Sequence, residues 1–447
     1  MVSLGVLPLA KSFETMFMGS AGSGEYWISL LEGGGDEYGR GVAVDSSGNI
    51  IAVGDTTSDG AGSIDRLITK RNSLGTLLWA KTEGYPSNEY GFGVAIDSSD
   101  NIIVVGSRTS GSSLTINKYN PSGTVLWQQE FDVGSQNFGR AVAVDSNDDI
   151  IICGSSYRNN TTGFDVILAK FRSNGQATSW SRYIASTTNN GDVGFGVAID
   201  SSDNVIVTGR INGFTPMDLL VAKFNTSGTL QWQKTLGNGG RVEGHGVAID
   251  SSDNIIIMGY EGTFILGQRV MTIKLNSSGV LQWKVSLGQA GSINSGKGKG
   301  SVAIDSSDNV IITGVTEVYS DLLVAKFNSS GTLQWDKTLG SSSGNVPYGW
   351  NGVAVDSSDR VIVTGGLQEP NSTIMDFLVA KLPSDGSGDG TYGGVITYQD
   401  ANLSSASPSV TLSTSTLTNG LATFVTNTVS IIPADAVIDS KLYPVRA

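Results

Sequence analysis

Few residues in this 447-residue chain could do chemistry, and most of those come in sets too large for a reaction to need. There is one histidine, His245, and one cysteine, Cys153. A single histidine removes multi-histidine zinc sites and makes a Ser-His-Asp triad a poor expectation. Cys153 closes the apolar run Ile150-Ile151-Ile152-Cys153 and reads as a small buried hydrophobe. No pair of carboxylates is singled out by its spacing for glycoside hydrolysis. The carboxylates and lysines recur instead. Asp45, Asp97, Asp145, Asp200, Asp250, Asp305 and Asp356 each open a turn of the type Asp-Ser-Ser-Asp-Asn. That turn invites a calcium reading, yet it lacks the Asp-x-Asp-x-Asp-Gly run and the distal Glu. Asp, Ser and Asn favour tight turns through local hydrogen bonds, and turns are what they predict here. The second set is Lys70, Lys118, Lys170, Lys223, Lys274, Lys326 and Lys381. A catalytic lysine would be singular; seven at one position read as a ring of paired side chains with their stems along apolar surface. No catalytic residue, metal ligand or cofactor is assigned, and the expectation is a protein without enzymatic activity.

The elements that carry these sets repeat seven times. In each copy a glycine follows the aspartate nine residues later, as in Gly246-Val247-Ala248-Ile249-Asp250 leading to Ile255-Ile256-Ile257-Met258-Gly259. Successive aspartates lie 48 to 55 residues apart. A second unit follows in each copy, of the form Asp218-Leu219-Leu220-Val221-Ala222-Lys223-Phe224, an Asn-Thr-Ser-Gly turn and Leu230-Gln231-Trp232. This is a hairpin signal. Each repeat is therefore four short strands, and the unbroken apolar second strand predicts burial on both faces. Seven such units make an all-β fold, a seven-bladed β-propeller of four-stranded blades. Only six tryptophans follow a recurring lysine; after Lys381 none does, while Trp27 stands alone near the start. The strand around Trp27 is predicted to complete the last blade and close the ring, which leaves no free edge within it.

The division is then an N-terminal arm (1–24), the propeller (25–384) and a C-terminal linker with a small Ser/Thr-rich β segment (385–447). That last segment is too small to bury much core alone, so it leans on the propeller, on a copy of itself or on another protein, and it reads as a docking or assembly element. A formal charge of −13 argues against nucleic acid as a partner. No apolar run reaches the length of a membrane helix, and residues 1–24 lack the basic start of a secretory signal.

Chain direction puts the near-identical Asp-Ser-Ser-Asp-Asn and Asn-Ser-Ser-Gly turns on one face of the disc. The loops of the other face vary, and a rigid scaffold with variable loops is the usual arrangement for recognition. On that face the residues before each first strand approach the central channel. The candidate ligand-binding residues are Tyr38, Arg40, Tyr90, Phe92, Phe138, Arg140, Phe195, His245, Tyr348 and Trp350. Aromatic and Arg side chains dominate binding hot spots, and aromatic rings also fill a channel mouth well.

The run Val-Ala-Ile-Asp-Ser-Ser-Asp-Asn-Ile-Ile with its Leu-Val-Ala-Lys-Phe hairpin resembles the seven-bladed β-propeller repeat family of bacterial proteins over residues 25–384; the resemblance implies the fold and no single activity. Together with the junction Leu382-Pro383-Ser384-Asp385-Gly386-Ser387-Gly388-Asp389-Gly390-Thr391-Tyr392-Gly393 and the Ser/Thr-rich tail, the repeats are also similar to propeller-bearing virion proteins of tailed phages of marine cyanobacteria. That similarity implies a structural component of a virion, tail or surface associated and assembled in the host cytoplasm. The propeller would serve adsorption and residues 1–24 and 385–447 would contact other virion proteins. Host surface polysaccharide and a second copy of the chain are the further partners expected. The alternatives are a bacterial surface or secreted propeller that binds glycan or protein, and a propeller lyase, for which His245 would have to matter.

Overall fold

The computed structural model describes residues 12–18, 26–58, 63–84, 86–109, 113–132, 134–159, 163–176, 180–186, 191–212, 216–237, 239–263, 267–288, 298–315, 321–341, 349–368, 372–392, 396–401 and 403, and short strands between 405 and 442. No helix occurs among them. Seven four-stranded antiparallel sheets stand around a central channel as the blades of a propeller. Blades 1 to 6 span residues 37–83, 89–132, 136–185, 193–236, 241–287 and 302–341. Blade 7 is made of residues 352–382 and, from the other end of the chain, Trp27–Glu32. Trp27 faces Lys381 in the same register in which Trp232 faces Lys223. The closure expected from the unpaired tryptophan is therefore present.

There is no single core. Seven apolar clusters form, one at each boundary between neighbouring blades. The second strand explains why. Ile50 and Ala52 pack toward blade 7, while Ile51 and Val53 pack toward blade 2. An alternating strand that is apolar throughout thus serves two interfaces, each buried aliphatic side chain contributing about 1.5–3 kcal/mol. Blade 1 differs from the others. Its two clusters hold eight and six buried residues, against ten or more elsewhere, and Arg66, Arg71, Glu83 and Asn117 are buried beside them. The Asn117 amide donates to Glu83 at 2.7 Å, and Arg71 to Ser29 of blade 7 at 3.2 Å.

The two recurring sets meet on the constant face. Every Lys Nζ lies 2.5–2.9 Å from the Asp of its own blade, as in Lys70–Asp45 and Lys381–Asp356. In every blade but the third the same ammonium also donates to a turn carbonyl of the following blade: Lys70 to Pro121 at 3.1 Å, Lys381 across the closure to Ser73 at 3.2 Å. Each Trp indole N–H donates to a turn of the next blade too, Trp27 to Ser73 at 3.3 Å and Trp180 to Thr226 at 2.9 Å. The ring packs over a glycine in that turn; at Gly279, φ +76°, a Cβ would come within 3.1 Å of Trp232. Burial alone would raise the carboxyls of Asp45, Asp97, Asp200, Asp250, Asp305 and Asp356. Bonds from the paired Lys and from the turn outweigh it and hold them below the usual range.

A third link uses the second aspartate of the turn. Asp100, Asp148, Asp203, Asp253, Asp308 and Asp359 all have φ near +60°. In that conformation each accepts both the N–H and the hydroxyl of a serine on the preceding blade, as Asp100 does from Ser46 at 2.9 and 2.6 Å. The turn carboxylates that suggested a cation loop are thus occupied by lysine, asparagine, backbone and serine donors. Blade 1 carries Gly48 at this position, φ +77°, so the step from blade 7 to blade 1 lacks the link.

The C-terminal segment is spread over all seven blades. Ile396–Asp400 pairs with the outer strand of blade 6, Ser405–Ala406 with blade 5, Ser413–Thr414 with blade 4, Thr418–Leu421 with blade 3, Val425–Asn427 with blade 2 and Ala434–Asp435 with blade 1. On blade 7, Ser12–Met18 pairs with Trp27–Glu32, and Ile438–Leu442 pairs parallel to Ser12–Met18. The tail therefore circles the disc once, against the order of the blades, and supplies outer strands that would otherwise be missing from exposed edges. The propeller rim is one of the three supports open to it from sequence.

Two outcomes test this closure. Deleting residues 1–32 removes the outer strand of blade 7 and the Trp27 and Ser29 links. The melting temperature should fall by at least about 10 °C, several kcal/mol at ~2–4 °C each; an unchanged value would mean that blade 7 is complete without it. Gly48→Asp should supply the absent seventh link at a position whose φ the other blades already give to Asp. A rise of about 1–2 °C is expected, corresponding to ~0.5–1 kcal/mol for the added bonds, and a fall would show that the step from blade 7 to blade 1 cannot accept it.

Candidate functional site

The channel mouth on the variable face is built by a repeated irregularity. In blades 1 to 5 the innermost strand shifts register against the second strand at one place, between Gly39 and Gly41, Gly91 and Gly93, Gly139 and Ala141, Gly194 and Gly196, and Gly244 and Gly246. The extra residue of a bulge has no ladder partner, and its side chain is re-aimed. Those residues are Arg40, Phe92, Arg140, Phe195 and His245, and all five line one cavity of about 150 Å³. Blades 6 and 7 contribute Ser301 and Asn351. The glycine after the bulge is a matter of crowding: a Cβ on Gly41 would lie 3.0 Å from the carbonyl oxygen of Phe92 in the next blade.

The five bulge residues form an alternating arc. The Arg40 guanidinium lies 5.1 Å from the Phe92 ring centroid and 5.9 Å from that of Tyr90. Arg140 lies 5.8 Å from Phe92, 5.4 Å from Phe138 and 5.3 Å from Phe195. His245 stacks on Phe195 with centroids 4.7 Å apart, and Tyr260 meets its edge at 5.3 Å. Contacts of this kind contribute about 0.5–2 kcal/mol each when partly desolvated.

Two carboxylates stand behind the arc. Asp55 accepts from Arg40 Nε at 2.5 Å and from the Gly91 N–H of blade 2 at 3.0 Å. Burial pushes the Asp55 carboxyl up, and the Arg40 charge pulls it back. Glu243 accepts from Arg210 at 2.7 Å and lies 3.0 Å from His245 Nε2 and 3.2 Å from Arg241. Burial would raise Glu243 as well; the His245 bond and the two guanidiniums hold it well below the usual carboxylate range. Arg140 is lowered to about 10, by burial first and then by repulsion from Arg210.

The sequence-derived candidates fall into three groups. Arg40, Phe92, Arg140, Phe195 and His245 line the channel. Tyr38, Tyr90 and Phe138 stand two residues earlier and one layer out, opposite Asp55, Ser107 and Ser155. Tyr90 stacks on Phe92 at 5.8 Å, and Phe138 packs on Phe164 at 5.9 Å. Tyr348 lies outside the described residues. Trp350 is described by its backbone alone, in a two-residue strand, Gly349–Trp350, that runs parallel to Gly298–Lys299. Sequence reasoning missed Asp55, Arg210 and Tyr260. All three follow the recurring glycine of the second strand directly, at a position that varies from blade to blade; that variation was the available signal.

No protein-family model matches the chain, and no curated protein matches it in sequence. Similarity to solved structures is at the level of the propeller fold. A puromycin hydrolase is 10% identical with a TM-score of 0.48, over 74% of this chain and 50% of the hydrolase, so the chain spans half the length of that protein. A mutant NanB sialidase from Streptococcus pneumoniae is 11% identical with a TM-score of 0.43, over 83% of this chain and 70% of the sialidase. An ulvan lyase bound to -[GlcA(1-4)Rha3S]- is 10% identical with a TM-score of 0.48, over 78% of this chain and 94% of the lyase. The expectation of a protein without enzymatic activity is corrected by these matches. Three of the structures similar in fold are a hydrolase, a sialidase and a lyase.

Asp55 offers a direct test of how the arc is held. Asp55→Asn keeps the shape and removes the charge opposite Arg40. The expected loss of stability is about 2–3 kcal/mol, below the ~3–5 kcal/mol of a fully buried pair, because the Arg40 side chain stays 14% exposed. An unchanged thermal transition would mean that the rings of Tyr90 and Phe92 alone keep Arg40 in place.

Proposed function

We propose that this chain is a recognition module of a tailed-phage particle, carried at the tail or surface, whose variable face engages the host surface and its polysaccharide. One observation carries the reading: the two faces of the disc differ in what their polar groups do. On the constant face the Asp, Lys, Ser and Trp groups are used in bonds between blades. On the variable face the seven blades give the channel five residue types, Arg, Phe, His, Ser and Asn, and five of the seven blades give an aromatic, guanidinium or imidazole group. Rigid presentation of such groups is what a binding surface needs.

The two chain ends support the particle role. Ser12–Met18 and Ile438–Leu442 lie side by side on the outer edge of blade 7. Residues 1–24 and the end of 385–447 would dock there onto neighbouring particle proteins, by strand addition to an edge. The similarity of the repeats and the 382–393 junction to phage propeller proteins agrees with this placement, and a second copy of the chain is a further partner.

The test is to purify particles, measure the copy number of the chain by quantitative mass spectrometry, and add the isolated chain as a competitor of adsorption. A fixed copy number and a concentration-dependent block of adsorption are expected. Absence from particles, with glycan binding retained by the isolated chain, would replace this reading with a bacterial surface or secreted binding propeller.

A further inference from the structure

We propose that the channel mouth seats an anionic group of a saccharide, a carboxylate or a sulfate ester, on the guanidiniums of Arg40 and Arg140 either side of Phe92. This rests on the reading of the variable face as a glycan-recognition surface and names the class of glycan. The chain as a whole is acidic, with a formal charge of −13. Its channel mouth is not. Around the arc, among the described residues, stand four guanidiniums, Arg40, Arg140, Arg210 and Arg241, against two carboxylates, Asp55 and Glu243. Of the acids farther out, Glu37 and Glu89 accept hydrogen bonds from neighbouring serines, Ser58 and Ser87, at 2.6 Å, and Asp36, beside Tyr38, accepts from the Met375 N–H at 3.0 Å. A cationic mouth in an acidic protein draws an anion to that place and repels it elsewhere.

The geometry also suits a fixed ligand. A guanidinium presents a planar fork that matches the two oxygens of a carboxylate or sulfate. An arginine side chain is normally costly to order, yet here rings hold it. Arg140 is in contact with three, Phe92, Phe138 and Phe195, and Arg40 with two. Cations ordered before the ligand arrives lose less entropy on binding. Burial and the charge of Arg210 already work against the protonated form of Arg140, and the charge of an anion in the channel would offset both. Phe92 lies between the two guanidiniums, and its ring edge and the apolar side of a sugar ring are suited to contact.

The experiment measures binding of the full chain to polygalacturonate, dextran sulfate and neutral dextran by calorimetry at low and high salt. Binding to at least one of the charged polymers, weakened by salt, and none to neutral dextran is expected. Arg140→Gln should weaken that binding at least about tenfold, or ~1.4 kcal/mol, while Arg140→Lys, which keeps the charge but loses the fork, should lie between. If the Gln variant fails to fold, the Lys variant and the salt series still decide. Equal binding of neutral dextran, or salt-independent binding, overturns the anionic assignment and leaves the glycan reading standing. No binding to any of the three overturns both. Discrimination between polygalacturonate and dextran sulfate tells which of the two anions the site takes.

Discussion

Everything in this molecule hangs on one contact made seven times. A lysine ammonium neutralises the aspartate of its own blade and, in every blade but the third, at the same time donates to a turn carbonyl of the next. The tryptophan opposite that lysine donates across the same boundary. A blade cannot bury both faces of its second strand unless it has neighbours. These polar links set how far apart the neighbours stand, and the apolar clusters then fill the space between. In blade 3 the Lys170 head has a second carboxylate, Asp149 at 3.4 Å, where most blades have asparagine.

Because that contact is written in residue types at fixed intervals, it was legible. The lysine–tryptophan interval gave the hairpin, and the single missing tryptophan gave the closure through Trp27. Two things were not legible, for physical reasons. A bulge adds one residue that glycines on either side make easy to absorb, so the run Gly39-Arg40-Gly41 reads as ordinary strand. Only the pairing reveals that Arg40, Phe92, Arg140, Phe195 and His245 are all the extra residue. The tail was opaque because, apart from the Lys337–Asp400 ion pair, the Leu403 N–H bond to Asp336 and the buried Ile396 and Tyr398, the bonds described between it and the blades run between backbones. Backbone pairing over two to five residues demands little of side chains, and Ser/Thr-rich sequence meets that demand without a motif.

The site shows the same division. Aromatic and cationic residues before each first strand pointed to the channel, and five of them do line it. Their partners could not be read the same way. Asp55 and Arg210 come from the second strand of their own blades, and Asp55 reaches into the next blade to accept from Gly91. The repeat that made the fold easy to recognise also hid these residues, since each replaces a neutral residue at one variable position. Departures from a repeat, more than its constant letters, mark where such a protein has been adapted.

The path of the tail has a mechanical meaning. Its strands sit on the blades one after another, each a small set of backbone bonds, and the last lies against the arm on blade 7. A force applied at the C-terminal end meets these sets in series, from blade 7 to blade 1 and onward to blade 6, and loads one at a time. The ring beneath is loaded in parallel, through links that bind each blade to both neighbours. The chain thus combines a rim that yields in small steps with a disc that resists as a whole, so that tension on one end can lengthen the molecule by tens of residues while the channel mouth keeps its shape.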